Sequence, residues 1–408
     1  MPDYDLLIAG GGLVGASLAC ALRGRGLRMA IVEARPLSAA PDPRRLALAY
    51  SSRCILHTLN VWPTASCPIH TVHVSQQGRF GQVRLRHHEF GVPALGYVVA
   101  AQDLNDTLWQ PLQHRPDFDW LRPASIEQVS LHPEAVQVTL NEPGGTRRVS
   151  TRLLVAADGG RSAIREQLKI PVFQHDYRQF ALLADVHLPQ PHRHLAYDRF
   201  TADGVFALLP MTQQRATLVH TVKQNRLESL LALDDAAFAA YISTAFNGYL
   251  PRQLTFGPRL SYPLHLLKAR QQTRQRTVLI GNAAHTLHPV AGQGFNLGLR
   301  DAAVLAEYIA AAQCAGEDIG AAQTLQRYAR ERDRDQHTSI AFTDGLVRLF
   351  GLPLPPVPMA RSLGLTLLDS LPTGKRLLAQ QMMGLNGRQS RLARGLTLPQ
   401  ATRGADAL

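Results

Sequence analysis

The most informative segment of this chain reads Gly281-Asn282-Ala283-Ala284-His285-Thr286-Leu287-His288-Pro289 and continues as Ala291-Gly292-Gln293-Gly294-Phe295-Asn296-Leu297-Gly298. An apolar strand over 277–280 precedes this glycine-rich loop, and apolar residues at helical spacing predict a helix from about Asn296. The free N–H groups at the start of such a helix stabilise an anionic group. The segment therefore predicts a binding loop for a phosphate or a similar anion.

A second glycine-rich turn, Gly10-x-Gly12-x-x-Gly15, follows a predicted strand over 4–9 and opens a predicted helix. Its glycines allow a tight turn, approach of the backbone to a pyrophosphate, and close packing of helix on strand. Glu33 ends the next predicted strand, 18 residues after Gly15, where a carboxylate can bond ribose hydroxyls. We therefore predict a dinucleotide site. Because a carboxylate repels a 2′-phosphate, the bound adenosine is expected to be that of FAD or NAD.

A third loop, Asp158-Gly159-Gly160-Arg161-Ser162, follows a predicted buried strand and opens another helix. Asp158 alone fits two interpretations, a helix cap or a ligand contact. Three loops of this kind in one chain favour the ligand contact. We expect one cofactor, held by segments that are distant in sequence.

The composition is that of an ordinary globular protein: of 408 residues, 45% are hydrophobic and 18% are charged. That length predicts two or three domains, or two interleaved ones. No apolar run reaches the length of a membrane span. The four cysteines show no CxxC or paired spacing. We therefore expect a cytoplasmic, reduced protein with neither a disulfide framework nor a metal site.

The net charge of +12 leaves three kinds of partner open, namely nucleic acid, anionic lipid and an acidic cofactor. The chain has no zinc finger, helix-turn-helix signal or alternation of aromatic and basic residues, so we expect no nucleic acid. From Lys375 to Arg394 the sequence mixes basic and apolar residues. Such a segment lies in a membrane interface or forms a solvated terminal helix, and both interpretations stay open here.

Two strand-rich blocks and a helical end complete the pattern. Alternating residues predict strands within 71–100 and 178–265, with a helical piece at 226–246. From Asn296 onward the chain is mostly helical, broken by a proline-rich linker at 352–358. We expect the apolar residues of 346–371 to complete the core, and the alternative is an interface in a homo-oligomer.

In this order and spacing, the three loops resemble those of the class A flavoprotein aromatic hydroxylases. Most of that superfamily has Asp where this chain has Asn282, and the Gly-Asn form resembles the subgroup that hydroxylates 2-polyprenyl-6-methoxyphenol. The resemblance covers residues 4–345. Further motifs look like those of the ubiquinone-biosynthesis branch: Asp42-Pro43-Arg44-Arg45-Leu46-Ala47-Leu48, Leu95-Gly96-Tyr97-Val98-Val99, Ala196-Tyr197-Asp198-Arg199-Phe200-Thr201 and Ala207-Leu208-Leu209-Pro210-Met211.

The resemblance implies an α/β fold in which a Rossmann-type FAD-binding domain is interleaved with a mixed-sheet substrate domain. Helices are expected to close the C-terminus. We expect a discontinuous FAD-binding domain over 1–70, 97–177 and 268–345, a substrate domain over 71–96 and 178–267, and a C-terminal helical region over 346–408.

The implied activity is that of a monooxygenase. NAD(P)H reduces FAD, one atom of O₂ is transferred to an electron-rich ring, and the other leaves as water. The implied substrate is a lipophilic polyprenyl-methoxyphenol. Alternatives are another ring position, another aromatic substrate, or a non-hydroxylating FAD-binding partner in the ubiquinone-biosynthetic complex. Because such phenols partition into lipid, we expect peripheral contact with the inner face of the membrane and with other ubiquinone-biosynthesis proteins.

The resemblance also assigns roles to single residues. As catalytic candidates it gives His285 and His288 as proton carriers, Pro289 facing the flavin ring, and Tyr197 beside Arg199 on the substrate side. Cofactor contacts are expected from Gly10, Gly12, Leu13, Val14, Gly15, Glu33, Ala34, Arg35, Arg44, Gln102, Asp158, Gly159, Gly281, Asn282, Pro289, Gly292, Gln293, Gly294, Phe295 and Asn296.

Overall fold

The computed structural model describes residues 1–250, 253–352 and 356–400. Within these ranges the strands are β1 Tyr4–Ala9, β2 Met29–Val32, β3 Arg45–Ala49, β4 Ser66–Ile69, β5 Thr71–Gln76, β6 Gln82–Arg86, β7 Gly96–Ala100, β8 Phe118–Leu121, β9 Ser125–Leu131, β10 Val136–Glu142, β11 Gly145–Ala156, β12 Val172–His187, β13 Leu195–Phe200, β14 Val205–Pro210, β15 Arg215–Lys223, β16 Thr255–Phe256, β17 Leu260–Ala269, β18 Thr273–Arg274, β19 Thr277–Leu279 and β20 His285–Thr286.

The α-helices of the same ranges are α1 Leu13–Leu22, α2 Tyr50–Thr58, α3 Ala101–Trp109, α4 Ala163–Gln167, α5 Gln224–Leu231, α6 Asp235–Phe246, α7 Gln293–Cys314, α8 Ala322–Gly351, α9 Val357–Ser370 and α10 Pro372–Met382. The helices differ from the sequence-based expectation at two places. Helix α7 begins three residues before Asn296, and the helical piece at 226–246 is two helices. Asp234 separates these two because its Oδ1 accepts a hydrogen bond from the Ala237 N–H and so caps α6.

The first sheet has a parallel centre in the order β19-β11-β1-β2-β8. Strands β1, β2 and β19 are almost wholly buried, as expected for parallel strands that are covered on both faces. Helices α1, α3 and α7 contribute to the apolar core on one face. The strands β9, β10 and the outer part of β11 extend this sheet as an antiparallel meander. The predicted Rossmann-type α/β fold is therefore confirmed.

The second sheet is mixed, in the order β20-β17-β12-β15-β14-β13-β5-β6. Its one parallel pair within this order joins β5 to β13, and the other pairs are antiparallel. Helices α5 and α6 cover one face with an apolar core of their own. Strand β12 follows α4, pairs with β17 and β15 and ends against β16, so it lies within the second sheet. The exact division into domains given above stays our proposal.

The C-terminal helices α8, α9 and α10 pack against β5, β6 and the 290–292 turn. The expected core role is wrong for part of this region, because Leu363 and Leu367 of α9 are 55% and 60% exposed. Leu365 between them is buried. The predicted linker at 352–358 falls partly outside the described residues, and α9 begins within it. No helix of the described ranges combines the length and apolar character needed to cross a bilayer.

Candidate functional site

The first glycine turn joins β1 to α1, and two of its glycines are required by the backbone. Gly10 has φ +102°, and an added Cβ would lie 2.5 Å from the Ala157 carbonyl oxygen. A Cβ on Gly15 would lie 2.1 Å from the Gly10 carbonyl oxygen. Gly12 differs, since a Cβ there would meet no atom of the described chain within 4 Å. Gly12 therefore borders open space where the other two are packed.

Glu33 follows β2 and holds the same turn in place. Its Oε2 accepts a hydrogen bond of 2.8 Å from the Gly11 N–H, and its Oε1 accepts one of 2.8 Å from the Arg35 N–H. Ala34 and Arg35 are both exposed beside it. The carboxylate thus lies at the end of β2 next to the turn, which is the position that a ribose-binding acid occupies in a dinucleotide fold.

The 281–298 segment closes directly over this turn. A Cβ on Gly281 would lie 3.1 Å from the Val14 Cγ2, and one on Gly298 would lie 2.9 Å from the same atom. Gly281 and Gly292 have φ of +57° and +60°, which favours glycine at both ends of the loop. Two segments separated by most of the chain are therefore in contact through small residues.

Asn296 fastens this loop to β3 and α2. Its Oδ1 accepts hydrogen bonds from the Ala49 N–H and the Ser52 hydroxyl, and its Nδ2 donates to the carbonyl oxygens of Ala47 and Gly292. The side chain is buried and its hydrogen-bonding capacity is filled by the protein. We therefore propose that Asn296 positions the loop rather than binding a ligand through its amide.

The third loop follows β11 and meets the second through a buried arginine. Arg165 donates from Nη1 to the Ala283 carbonyl oxygen and from Nη2 to the Gly160 carbonyl oxygen, at 2.9 and 2.8 Å. Asp158 accepts a hydrogen bond from the Ile164 N–H at Oδ2, and hydrogen bonding from the Ser162 side chain and nearby backbone N–H groups also favours its carboxylate. Burial raises the pKa of Asp158. Its buried Oδ1 has no partner among the described residues, so this oxygen is available to a ligand hydroxyl.

The loops border one cleft of about 890 Å³ between the two sheets. From the first and third loops and the 35–44 segment it is lined by Gly12, Leu13, Val14, Arg35, Arg44 and Gly159. From the 281–298 segment it is lined by Asn282, Pro289, Gly292, Gly294, Phe295 and Asn296. The remaining expected cofactor residues lie behind this lining: Gly10, Gly15, Glu33, Ala34, Gln102, Asp158, Gly281 and Gln293.

Gln102 and Arg44 lie on one side of the cleft and meet at Asp42. The Gln102 side chain accepts a hydrogen bond from the Asp42 N–H and donates one to Asp106. Arg44 donates to both carboxylate oxygens of Asp42 while it lines the cleft. Gln102 therefore supports the segment that carries Arg44. We propose that its contribution to cofactor binding is indirect.

The cleft fits a flavin dinucleotide. Added Cβ atoms at Gly12, Gly159 and Gly294 would meet no described atom within 4 Å, so three glycines border space that a ligand can fill. Arg35 lines the same side and brings positive charge that suits a diphosphate, whereas the charge of Arg44 is balanced by its pairing with Asp42. The free Oδ1 of Asp158 is a further acceptor close to this lining. The residues that line the cleft therefore match a flavin dinucleotide.

His285 and Asp301 form the centre of a buried network behind the cleft. The His285 Nε2 lies 2.6 Å from Asp301 Oδ2, and both side chains are fully buried. Asp301 also accepts hydrogen bonds from the Gly281 N–H, from Arg332 and from Gln336. Burial alone would raise the pKa of Asp301, but attraction to His285 and Arg332 outweighs it and holds the pKa well below its usual range. We propose that His285 anchors the loop and is not a proton carrier.

His288 is buried as well. Its Nδ1 accepts a hydrogen bond from the Val290 N–H, its Nε2 lies 3.2 Å from the Gln179 Oε1, and Tyr177 packs edge-on against its ring. Burial lowers the pKa of His288 to about 4. The ring is therefore neutral near pH 7, with both nitrogens engaged. This environment favours a structural role over proton transfer.

The alternation of β13 separates its side chains between two faces. Tyr197 packs edge-on against Phe246, on the side covered by α6. Arg199 donates to the Ala245 carbonyl oxygen and the Ser75 hydroxyl. Neither residue lines the cleft. The expected position of both side chains beside the substrate is therefore corrected: because side chains alternate between the faces of a strand, Tyr197 and Arg199 point away from the cleft.

Asp198 points the other way and was missed in the sequence. Together with Ala196 it lines the cleft, and its carboxyl group has no hydrogen bond or ion pair within the described ranges. Burial raises the pKa of Asp198 to about 6. On its own face of β13, Asp198 stands between the apolar residues Ala196 and Phe200 at two-residue spacing, and this pattern was the available signal. It was overlooked because the sequence does not show which face of β13 borders the cofactor.

Among the described residues, one group of metal-ligating side chains lies outside the cleft lining, where β4 meets the segment before β13. The ligand atoms of Cys67, His192 and His194 lie within 4.8 Å of one another. Both ring nitrogens of His192 are engaged, since Nε2 lies 2.6 Å from the Thr212 carbonyl oxygen and Nδ1 accepts the His194 N–H. That occupation opposes metal binding, and the expected absence of a metal site stays our proposal.

Comparison with known proteins gives the family. Residues 3–343 match the family described as FAD binding domain. Ubiquinone hydroxylase UbiL of Rhodospirillum rubrum is 37% identical over 404 residues, which cover 97% of this chain and 93% of that protein. The 3-demethoxyubiquinol 3-hydroxylase of Escherichia coli is 29% identical over 392 residues, covering 93% and 98% respectively.

A solved structure shares the fold. The p-nitrophenol 4-monooxygenase PnpA from Pseudomonas putida superposes with a TM-score of 0.76 at 18% identity, covering 94% of this chain and 98% of that one. The convergence of three loops on one cleft agrees with the family match and with the mixed second sheet. The chain therefore belongs to the FAD-dependent aromatic hydroxylases, in the branch of the ubiquinone hydroxylases.

Proposed function

We propose that this enzyme hydroxylates the ring of a polyprenyl-methoxyphenol in ubiquinone biosynthesis, with NAD(P)H and O₂ as co-substrates. The observation that supports the proposal best is the two-sided character of the cleft. Arg35 and Arg44 line one part, whereas the second sheet lines another with apolar side chains: Ala181, Leu183, Ala207, Leu209 and Val219. A charged cofactor and a lipophilic phenol can thus share one enclosed space.

Bound FAD would supply the activated oxygen, and the chain supplies position, charge and exclusion of water. We propose that Gly12, Gly159 and the arginines hold the dinucleotide part, while Pro289 to Gly294 border the ring system. Backbone N–H groups at the start of α7 stabilise negative charge there. The apolar side chains of the second sheet then hold the phenol ring against the reacting end of the cofactor.

The central experiment separates hydroxylation from simple FAD binding. Purified protein with FAD is given NADH or NADPH, O₂ and a prenylated methoxyphenol, and the product is identified by mass spectrometry. We expect reductant oxidation to be stimulated by the phenol and the product to gain one oxygen atom. Reductant oxidation without that product, or no stimulation at all, would contradict the proposal. Fragmentation of the product distinguishes the ring positions.

We further propose that Asp198 accepts the proton of the phenol hydroxyl, since deprotonation makes the ring more electron-rich. With a pKa of about 6, Asp198 is protonated below that pH and is a carboxylate above it. The value of kcat/KM should therefore rise as the pH is raised through 6. In Asp198→Asn we expect kcat/KM to fall roughly a hundredfold and this limb of the pH profile to disappear.

The matched control is Asp203→Asn, which removes a carboxylate that is 44% exposed in the turn following β13. It should leave both the rate and the pH profile unchanged. An Asp198→Asn enzyme that keeps the limb near pH 6 would exclude Asp198 as the base. Flavin content of both variants should equal that of the wild type, since neither carboxylate belongs to the glycine loops.

We also propose peripheral contact with a membrane through α9. Met359, Leu363 and Leu367 are spaced by four residues and are about half exposed, so they form one apolar stripe. The basic segment from Lys375 to Arg394 is a weaker candidate for membrane contact, because Lys375 pairs with Glu89 and Asp369, and Arg388 pairs with Glu307. The stripe, not these cations, would enter the lipid interface.

Flotation with anionic vesicles tests this contact. The double variant Leu363→Glu, Leu367→Glu should reduce the vesicle-bound fraction at least about tenfold, because each leucine loses its transfer into an apolar phase. Leu231→Glu, which changes an exposed leucine at the end of α5, is the control and should float as the wild type does. Equal flotation of all three proteins would refute the proposal.

A further inference from the structure

A second cavity of about 510 Å³ lies between the second sheet and the helices α8, α9 and α10. Its lining is apolar apart from Asp198 and Arg361, and includes Val290, Phe342, Leu346, Phe350, Leu365 and Leu368. A space with such walls offers few partners for water and favours hydrocarbon. Of the glycine-rich loops, only the 281–298 segment contributes to its lining, through Val290 and Ala291.

This cavity adjoins the cofactor cleft. Three residues, Asp198, Ala291 and Met382, line both spaces. Asp198 is the polar residue at this junction, so a ligand with a hydroxyl at one end and an apolar remainder matches the change in lining. A molecule whose ring lies in the cleft can therefore extend past Asp198 between the helices.

The opposite end of the cavity reaches the surface. Leu349 lines it and is 45% exposed, and Ala360 and Gly364 of α9 are exposed lining residues too. The apolar stripe of α9, formed by Met359, Leu363 and Leu367, is next to them in sequence. The outer end of the cavity is thus bordered by apolar surface.

The one cation in the lining is already engaged by the protein. Arg361 donates from Nη1 to the carbonyl oxygens of Leu349 and Phe350, at 2.9 and 2.7 Å. These carbonyls belong to the last turn of α8 and have no later helical N–H to bond. Arg361 therefore closes the end of α8, and its presence does not indicate an anionic ligand.

We propose that this cavity holds the hydrocarbon tail of the substrate, with the tail entering between α8 and α9 and the ring held beyond Asp198. The inference rests on the proposed function, and it assigns the tail to a cavity whose lining shares only Asp198, Ala291 and Met382 with the cofactor cleft. Each CH₂ group moved from water into such a lining contributes favourably to affinity. Affinity should therefore grow with tail length until the cavity is filled.

The test compares a methoxyphenol without a tail and one carrying several isoprene units. Gly364→Trp places a large side chain at the outer end, where an added Cβ meets no described atom within 4 Å. Ala360→Phe, one turn earlier on the same face, is the second variant. Gly345→Trp on α8 is the matched control, because Gly345 is equally open but does not line the cavity. Circular dichroism and flavin content establish folding.

In the wild type, equilibrium dialysis should give a lower Kd for the long-tailed phenol than for the tail-less one. In Gly364→Trp the Kd of the long-tailed phenol should rise at least about tenfold, since leaving about two CH₂ groups in water already costs that much affinity. The tail-less phenol should bind and react as before. If Gly364→Trp fails to fold, the Kd values of the long-tailed and tail-less phenols are measured for Ala360→Phe instead, with the same expected result.

Three outcomes would overturn the inference in different ways. Unchanged long-tail affinity in the folded blocking variants would place the tail elsewhere, while turnover of the tail-less phenol kept the proposed function intact. Failure of the wild type to bind or hydroxylate either phenol would refute the proposed function itself and this inference with it. Equal loss in the Gly345→Trp control would show a general effect of tryptophan on the helices, and would also refute the inference.

Discussion

Gly12→Val is expected to yield a folded protein that purifies without FAD. The backbone at Gly12 has φ −68° and ψ −179°, a conformation open to valine, and an added Cβ would meet no described atom within 4 Å. The chain itself therefore tolerates the side chain. The space that the valine would fill is the one we assign to the pyrophosphate.

The measurement is the ratio of flavin to protein after purification, from the visible absorption spectrum. Gly144→Val is the matched control, because Gly144 lies in the β10–β11 turn, has equal room for a Cβ and is far from the cleft lining. The control should retain full flavin, and once the flavin has been removed from the control the two variants should have equal thermal stability. A fully flavinated Gly12→Val protein would move the pyrophosphate away from the first loop.

Asp301→Ala is expected to lower the free energy of unfolding by about 3–5 kcal/mol, because removing one partner of a buried charge cluster leaves the other uncompensated. Asp301 is fully buried and accepts hydrogen bonds from four groups: the Gly281 N–H, His285, Arg332 and Gln336. Without it, Arg332 keeps only Asp335 as a carboxylate partner among the described residues. The Gly281 N–H also loses its acceptor, so flavin affinity should fall as well.

Urea denaturation of the flavin-free proteins measures this effect. The control is Asp333→Ala on α8, whose carboxylate pairs with Lys268 and is 60% exposed. A surface pair of that kind contributes at most about 1 kcal/mol. Losses of similar size in the two variants would show that the buried network adds little. Asp301→Asn, which keeps an acceptor but not the charge, should fall between them.

The sequence was most informative where local chemistry determines the structure. The limits of β1 were predicted correctly at Tyr4–Ala9, because an apolar strand ending at a glycine turn has few alternatives. The α/β fold, the FAD family and the ubiquinone-hydroxylase branch are likewise confirmed. Individual site residues stay predictions, although twelve of the expected cofactor residues line one cleft.

The sequence was least informative where a side chain's direction depends on tertiary packing. Alternation along β13 shows that Tyr197 and Arg199 share one face and that Asp198 takes the other. Only the position of α6 decides which face is covered by a helix and which borders the cleft. The same limit applies to His285, since its partner Asp301 comes from a helix one loop later. The spacing of these residues in the sequence does not show that His285 and Asp301 are buried together.

Because Gly281 and Gly298 pack against Val14, the cofactor cleft can be completed only late in the synthesis of the chain. The amino-terminal turn leaves the ribosome early, but its partner loop follows only after nearly three quarters of the chain has been made. A nascent chain therefore exposes an incomplete half-cleft for most of translation, and the prosthetic group can be captured firmly only near the end.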